Sequence, residues 1–355
     1  MEVITALLIG SLVALMLLWF FSREKRKTLP GPYGLPIVGY IPFMGSQPYV
    51  TFQELAKRYG SVFTVQLGSR NVIVLDDFQA TKDAFLQDAF MGRPPENPFD
   101  LKKATLEEVL EDMVGTFFGA GSETVRLTVD WLALTMAAYP EVQKKVQAEI
   151  DNVVGRERMP SWDEHEKLPY TEAVIMELLR WRTIIPINVL RYTLWDTTLN
   201  GYFIPKDSIV VANLWSVHHN PKYWGADAET FRPERFLTKD GKQVVKSEYF
   251  IPFSIGKRSC PGESYARTEV FLYFTSIFQK FNVSLPEGKE PDFEGQLGIG
   301  LAPKPQELCL KLSQEKRKTL PGPYGLPIIG YIPFIGSQPN VIFQELAKHY
   351  GSVFT

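Results

Sequence analysis

The sequence predicts a mostly α-helical protein with a minor β-sheet. Apolar residues recur at helical spacing over most of the chain after Ala104. Residues 61–67 and 71–75 alternate or run apolar around Gly68, as the two strands of a small hairpin would. Further strand-like runs lie at 209–212 and near 308–312, and earlier helices are predicted over 51–59 and 79–90.

Composition excludes several classes of protein. The 355 residues are 45% hydrophobic and 13% aromatic, which is typical of a globular protein able to bury a core. The 38 basic and 40 acidic residues nearly cancel and form no long block of one sign, which argues against a nucleic-acid partner. The two cysteines, Cys260 and Cys309, encode neither a disulfide framework nor a zinc site, so the body reads as cytosolic.

The N-terminus predicts a membrane anchor over residues 1–22. Residues 3–21 carry no charge, and as a helix they would span about 28 Å at ~1.5 Å per residue. A cleaved signal peptide is the alternative, but it needs a basic start and a small-residue cleavage site, whereas this chain begins Met1-Glu2. The basic residues at 23–27 place the following body, residues 23–313, on the cytosolic side.

A long repeat links the two ends of the chain. Residues Glu24 to Thr64 recur as Glu315 to Thr355, with five differences in 41 positions. Two distant copies cannot build a solenoid, which needs several adjacent repeats. We interpret residues 314–355 as the start of a tandem paralogue joined to this reading frame. Sequencing the transcript across codons 312–320 tests that interpretation, and a stop codon after Ser313 would contradict it.

The strongest chemical signal is the segment Phe253 to Gly262, which reads FSIGKRSCPG. A thiolate bound to haem iron needs a loop that passes close to the porphyrin, a shielded sulfur and a cation for a propionate. Gly256 and Gly262 permit the close approach, Phe253 can shield the sulfur, and Arg258 can supply the cation. The alternative is a buried free cysteine at position 260.

A helix is predicted to follow this cysteine directly. Pro261 suits the first position of a helix, and residues 263–281 continue with apolar residues at helical spacing. Cys260 would then lie at a helix N-terminus, whose dipole favours a thiolate. The pattern FxxGxRxCxG matches at all its fixed positions and therefore identifies Cys260 as the axial ligand of the haem iron.

This motif is the signature of cytochromes P450, and the chain resembles a microsomal, animal family-two-like member. The resemblance implies the cytochrome P450 fold with an N-terminal transmembrane helix, and haem b as cofactor. It implies a monooxygenase that inserts one oxygen of O2 into a small apolar organic substrate. Electrons would come from NADPH through NADPH-cytochrome P450 reductase, with cytochrome b5 as a further partner. The implied location is the endoplasmic reticulum membrane, with the body on the cytosolic face.

Inside the long helix after Ala104, the segment Ala120-Gly-Ser-Glu-Thr124 is the second match. Glycines in a helix cost about 1 kcal/mol each relative to alanine, so Gly115 and Gly121 suggest a local widening of the helix over the haem. Read alone, these residues are more often packing features. The resemblance instead implies that Glu123 and Thr124 relay protons during O2 activation.

Two further elements match the family. Glu177 and Arg180 lie three apart on one helical face, a spacing that is usually a surface pair of little energetic value. The resemblance implies a buried triad of Glu177, Arg180 and Arg235 that supports the haem face. It also implies that Arg191 binds the second propionate, although a surface role fits nearly as well. His218 and His219 have no third residue spaced for a metal and are not predicted to be ligands.

The resemblance is interrupted near residue 100. Related proteins carry a long helical block there, with a propionate-binding helix, lid helices and substrate-recognition segments. In this chain the pocket wall reduces to residues 117–124, 184–189 and 297–301. Losing packed helices should expose apolar surface. A non-catalytic remnant of a rearranged or misassembled gene, which binds at most haem or reductase, is therefore the alternative function.

Overall fold

The computed structural model describes residues 27–94 and 106–313, with backbone only for residues 106–113. Helices dominate, as predicted. They are α1 (Pro48–Tyr59), α2 (Phe78–Phe85), α3 (Leu106–Ala138), α4 (Pro140–Val153), α5 (Pro169–Arg182), α6 (Leu214–His218), α7 (Pro221–Trp224) and α8 (Glu263–Lys280). Short 3-10 helices lie at Ile41–Phe43, Asp88–Phe90, Trp162–Lys167 and Pro233–Phe236.

The strands are short. They are β1 (Val62–Leu67), β2 (Arg70–Leu75), β3 (Arg191–Tyr192), β4 (Thr197–Leu199), β5 (Tyr202–Ile204), β6 (Ile209–Ala212), β7 (Phe281–Ser284), β8 (Gly295–Leu297), β9 (Leu301–Pro303) and β10 (Cys309–Leu312). One sheet has the order β1-β2-β6-β3, and the pairs β4-β5, β7-β10 and β8-β9 are separate. The minor sheet of the prediction is therefore confirmed.

The predicted hairpin forms from β1 and β2, which pair antiparallel with Val62 opposite Leu75. Gly68 has φ +61° in the turn, a left-handed conformation that glycine adopts without steric cost. β6 joins β2 in parallel, with Val72 opposite Ile209. Asn213 directly follows β6. Arg191 lies on β3, which pairs antiparallel with β6.

The predicted helix over 79–90 is wrong at its end. It begins at Phe78, where the Asp77 side chain caps it by accepting a hydrogen bond from Ala80 N at 2.7 Å. It ends at Phe85 and is followed by the 3-10 helix Asp88–Phe90. Apolar spacing does not reveal this break, because Phe85 and Phe90 on either side of it are both fully buried.

The main core forms where α5 packs among the longer helices. Every residue of α5 from Thr171 to Arg182 is buried, including its charged ones. Trp131 of α3 is also fully buried, and its indole Nε1 donates a hydrogen bond to Leu301 O at 2.7 Å. α3 and α8 therefore enclose a central helix that carries buried charges.

The two halves of α3 differ in burial. Val125, Leu127 and Val129 lie in the core, whereas the side chains of Phe117 and Phe118 are exposed, Phe118 to 76%. The helix is α-helical throughout, so the widening predicted at Gly115 and Gly121 is absent from it. Nothing lies within 4 Å of a Cβ built on either glycine, so neither is required there by a close neighbour.

The predicted anchor over residues 3–21 and the repeated segment over 315–355 lie outside the described residues. Across residues 27–94 and 106–313, no helix combines the length and apolar character needed to cross a bilayer.

Candidate functional site

The predicted ligand loop is a tight excursion before α8. Cys260 N donates a hydrogen bond to Phe253 O at 2.9 Å, and Ser259 N donates to Gly256 O at 3.0 Å. Ser254 and Gly256 both have positive φ, at 62° and 77°. These left-handed positions let the chain reverse direction and leave the Cys260 side chain exposed at the end of the loop.

The helix after this loop begins later than predicted. α8 starts at Glu263 with Gly262 as its N-cap residue, so Pro261 lies in the preceding turn and Cys260 lies three residues before the helix. Partial desolvation by the surrounding loop raises the pKa of the Cys260 thiol above its ordinary value even though the residue is exposed, while a hydrogen bond from the Gly262 N–H acts to lower it. Cys260 lies before the first turn of α8, to which the effect of a helix dipole is largely confined.

The motif glycines act differently from each other. A Cβ on Gly256 would lie 2.2 Å from Phe85 O, so this glycine allows the loop to lie against the end of α2. A Cβ on Gly262 would meet Cys260 Sγ at 3.9 Å, which is an ordinary contact. The sequence predicted that Gly256 lets the loop approach a porphyrin closely. In the structure Gly256 instead lets the loop approach the main chain of Phe85 closely. The Phe253 ring packs against the core. Its main-chain oxygen accepts the hydrogen bond from Cys260 N.

Three arginines converge beside the ligand loop, and their hydrogen bonds within the described residues go to uncharged atoms. Arg258 Nε donates to Met91 O at 3.0 Å, and Arg191 donates to Ile255 O at 3.3 Å and to Met91 Sδ at 3.8 Å. Arg93 donates to main-chain oxygens at 2.6 and 3.2 Å. We call Arg93, Arg191 and Arg258 the arginine cluster.

Arg191 is the most constrained member of the arginine cluster. Its residue is only 1% exposed, and its Nε is a buried donor without a partner in the described part of the chain. Its guanidinium carbon lies 4.0 Å from the centre of the Phe85 ring. Burial, with repulsion from Arg93 and Arg258, lowers the pKa of Arg191 to about 9. A buried cation with an unused donor is suited to binding an anion.

Sequence reasoning missed Arg93. Burial and the nearby charge of Arg258 lower its pKa below the ordinary value, which places it in the same electrostatic environment as Arg191. Its side chain reaches Leu190 O, 97 positions along the chain. No local motif marks it, because the contact depends on β3 lying beside the segment that follows Phe90.

The predicted acid and alcohol lie on α3 at the boundary between its exposed and buried halves. Thr124 Oγ1 donates to Ala120 O at 2.8 Å within the helix. The Glu123 carboxylate accepts two hydrogen bonds from Arg126, at 2.7 and 3.0 Å, and these hold its pKa below the ordinary value. Both side chains thus bond to their own helix rather than to each other.

Glu177, Arg180 and Arg235 meet in the core. Arg180 donates to both carboxylate oxygens of Glu177 at 2.7 and 2.8 Å, and Arg235 Nε donates to Oε1 at 2.9 Å. The remaining donors of both arginines reach main-chain oxygens of residues 218, 224, 227, 228 and 230. The triad therefore ties α5 to the segment between α7 and Phe236 with all its charges balanced or hydrogen-bonded.

His218 and His219 have structural partners. His218 Nδ1 lies 3.0 Å from Thr183 Oγ1, and its Nε2 accepts from Ile251 N at 3.1 Å. His219 lies 3.0 Å from each of two main-chain oxygens. Burial lowers the pKa of both, that of His219 to about 3, so both are neutral at pH 7. The ring nitrogens are occupied by protein groups.

The sequence model of the cytochrome P450 family matches this chain in two segments, residues 29–108 and 102–310. These segments contain the ligand loop, the arginine cluster, α3 and the core triad.

Known cytochromes P450 are similar to this chain. Human cytochrome P450 2J2 is 44% identical over 227 residues, which cover 64% of this chain and 44% of the human protein. Rat cytochrome P450 2U1 is 45% identical over 200 residues, 56% of this chain and 37% of the rat protein. Drosophila melanogaster cytochrome P450 18a1 is 26% identical over an alignment of 473 residues, 81% of this chain and 88% of the fly protein.

Relative to the first two, the chain spans less than half of their length. Membership of this family implies a haem group. Because the family model covers most of the chain, including the loop that presents Cys260, the chain belongs to the cytochrome P450 family.

Proposed function

We propose that the protein is a haem-thiolate monooxygenase that inserts one oxygen of O2 into a small apolar organic substrate. The observation that carries the proposal is the arginine cluster beside the loop that presents the Cys260 thiol. Among the described residues this cationic site holds no carboxylate, so it fits the two propionates of haem, and the exposed sulfur fits the iron. The Arg191 Nε, which has no partner in the described ranges 27–94 and 106–313, supports the proposal that an anion completes the site.

Each predicted residue has a role in this proposal. Haem, when bound, supplies the activation of dioxygen. The Cys260 thiolate would ligate the haem iron, and Arg258 and Arg191, joined by Arg93, would hold the propionates. Residues Gly256, Gly262 and Phe253 shape the loop around the ligand, and the triad of Glu177, Arg180 and Arg235 supports the same side of the domain.

Proton delivery is assigned to α3. The hydrogen bonds from Arg126 lower the pKa of Glu123 and so make its carboxylate a weaker base, and the carboxylate would take up a proton once it is released from Arg126. Thr124 carries the hydroxyl proton that can be donated onward, and its present acceptor, Ala120 O, is an uncharged helix carbonyl. Substrate would bind along the exposed half of α3, where Phe117 and Phe118 offer apolar contact.

The remaining parts of the proposal come from the resemblance to microsomal members. Electrons come from NADPH through NADPH-cytochrome P450 reductase, and cytochrome b5 is a further partner. Residues 3–21 anchor the protein in the endoplasmic reticulum membrane, with the body in the cytosol.

A difference spectrum of the dithionite-reduced protein with carbon monoxide tests the assignment of the ligand. We expect the red-shifted Soret band of a thiolate-ligated haem. Cys260→Ser should abolish that band, and the matched variant Cys309→Ser, in β10, should leave it unchanged. Loss of the band in C309S, or its persistence in C260S, contradicts the assignment.

A second candidate is a non-catalytic remnant that binds haem or reductase only. Two observations favour it. Phe117 and Phe118 are exposed, and the family model matches in two separate segments that overlap at residues 102–108, as expected if an internal block is missing. The alignment with the fly protein is also longer than the 355-residue chain, as expected if an internal block is missing. Haem-loaded protein that consumes no NADPH with reductase present would favour this candidate over the monooxygenase.

A further inference from the structure

The repeated segment gives this chain two versions of α1 for one docking site. We propose that residues 339–350, the second version, bind the site that α1 occupies and compete with it within the same chain, as the weaker occupant. The proposal does not depend on haem binding or on monooxygenase activity.

Two of the three buried residues of α1 are repeated in the second copy. Phe52 and Leu55 are buried against the β1-β2 hairpin, and the rings of Phe52 and Phe63 lie 6.4 Å apart. Their equivalents, Phe343 and Leu346, are identical. The second copy can therefore bury the same apolar face against the same sheet.

A polar anchor of the site also accepts either copy. Asn213 Nδ2 donates a hydrogen bond to the main-chain oxygen of Tyr49 at 2.8 Å. The acceptor is a carbonyl that every residue carries, so Asn340 supplies it equally well. This hydrogen bond holds the start of the helix whichever side chain occupies that position.

Two differences make the second copy the weaker occupant. Tyr49 is 1% exposed, and its ring centre lies 4.7 Å from that of Trp215, whereas Asn340 is smaller and polar. Thr51 Oγ1 donates to Met44 O at 2.6 Å, a bond that Ile342 cannot make. Loss of a fully buried aromatic ring alone lowers occupancy by a factor on the order of 100.

The second copy can reach the site. Residues 314–339 extend to about 85 Å at ~3.3 Å per residue, which exceeds the ~50 Å diameter expected for a domain of this size. A tether of this kind gives an effective concentration on the order of millimolar, so the intrachain reaction is favoured over binding between molecules.

Hydrogen–deuterium exchange of the full chain tests the competition. Peptides covering 48–59 and 339–350 differ in mass, so the protection of each copy is measured in one sample. Four chains are compared: wild type, Tyr49→Asn with Thr51→Ile, Asn340→Tyr with Ile342→Thr, and all four changes together. The matched control exchanges the exposed difference, Arg58→His with His349→Arg.

We expect wild type to protect 48–59 more than 339–350. Asn340→Tyr with Ile342→Thr should slow exchange in 339–350 by up to about twofold, because two equivalent copies then share one site. All four changes should slow exchange in 339–350 at least tenfold and speed exchange in 48–59. The control should match wild type. Protection of 169–182 must stay constant, which separates competition from unfolding, and N340Y/I342T leaves the native α1 residues in place.

The proposal fails if 339–350 exchanges at the same rate in all four chains. It also fails if protection of 339–350 falls on tenfold dilution, because that result would assign the occupant to a second molecule.

Discussion

Two groups of arginines in this protein differ in how their charges are compensated. In the core, Arg180 and Arg235 share the carboxylate of Glu177 and donate further hydrogen bonds to main-chain oxygens, and Arg235 also pairs with Asp227 at 3.5 Å. In the arginine cluster, Arg191 and Arg258 bond only to carbonyl oxygens and a sulfur among the described residues.

The difference separates structural charge from binding charge. A buried charge that is fully paired contributes to the integrity of the fold once formed, and removing one partner leaves the other uncompensated. A buried charge without a counterion costs folding free energy and is retained where a ligand supplies the opposite charge. The following predictions test this distinction, from the largest effect to the smallest.

Glu177→Ala should lower the free energy of unfolding by about 3 to 5 kcal/mol, because the buried guanidinium of Arg180 loses its counterion and that of Arg235 keeps only its longer pair with Asp227. The matched control is Glu141→Ala, which breaks an exposed pair of the same i,i+3 spacing with Lys144. That change should cost under about 1 kcal/mol. Urea denaturation measures both, and equal losses would mean that burial does not distinguish the pairs.

Asp76→Asn should stabilise the protein at high pH. Burial raises the pKa of Asp76 to about 7, above the model-peptide value of 3.8, against hydrogen bonds from Asn213 and Ser216. An acid whose folded pKa is raised loses stability as pH rises from about 4 to about 7 and then levels off. The variant should lack this loss, gaining up to roughly 4 kcal/mol at pH 8 and almost nothing at pH 4.

Both hydrogen bonds reach the same Asp76 oxygen, at 2.7 and 2.9 Å, so the asparagine amide oxygen can accept them. Thermal unfolding from pH 4 to pH 9 measures the difference. Asp77→Asn is the control for removal of one negative charge, since asparagine also caps a helix. A gain that is the same at pH 4 and pH 8 would contradict the interpretation.

Arg191→Leu should leave the haem-free protein as stable or more stable by up to about 2 kcal/mol, since it removes a buried cation with an unsatisfied donor. Haem affinity should fall on the order of tenfold or more, because one propionate loses its partner. Denaturation of the haem-free protein and haem titration measure the two effects. A loss of stability above about 2 kcal/mol would place Arg191 with the core triad instead.

Glu123→Gln should change the free energy of unfolding by no more than about 0.5 kcal/mol, because its pair with Arg126 is largely exposed. Any larger effect on NADPH consumption with reductase would then come from proton delivery. Gln keeps the size of the side chain but cannot take up a proton, and Glu141→Gln is the exposed control.

Much of the fold followed from local patterns. The hairpin and the strands at 209–212 and 309–312 lie where alternation or apolar runs predicted them, and α1 begins at Pro48, three residues before its predicted start. Glu177 and Arg180 lie on a helix, as their spacing predicted. The break after Phe85 and the start of α8 at Glu263 did not, because both ends are set by packing against other segments. For instance, Phe85 O lies so close to position 256 that only glycine fits there.

The candidate site was likewise predicted only in part from local patterns. The motif around Cys260 marked the ligand loop and Arg258, since those residues are neighbours in the chain. Arg93 was missed because its environment comes from distant segments: Arg258 reaches Met91 across 167 positions.

By itself, the sequence determined the family motif around Cys260, the mostly helical fold and the duplication of residues 24–64, since each is a pattern of residues that are close along the chain. Only the tertiary structure decided which charges meet. It buried Glu177 between two arginines and, within the described part of the chain, placed no acid beside Arg191. The physical reason is that local spacing sets which side chains share a helix face, whereas the partners of a buried charge are set by the packing of segments far apart in the chain.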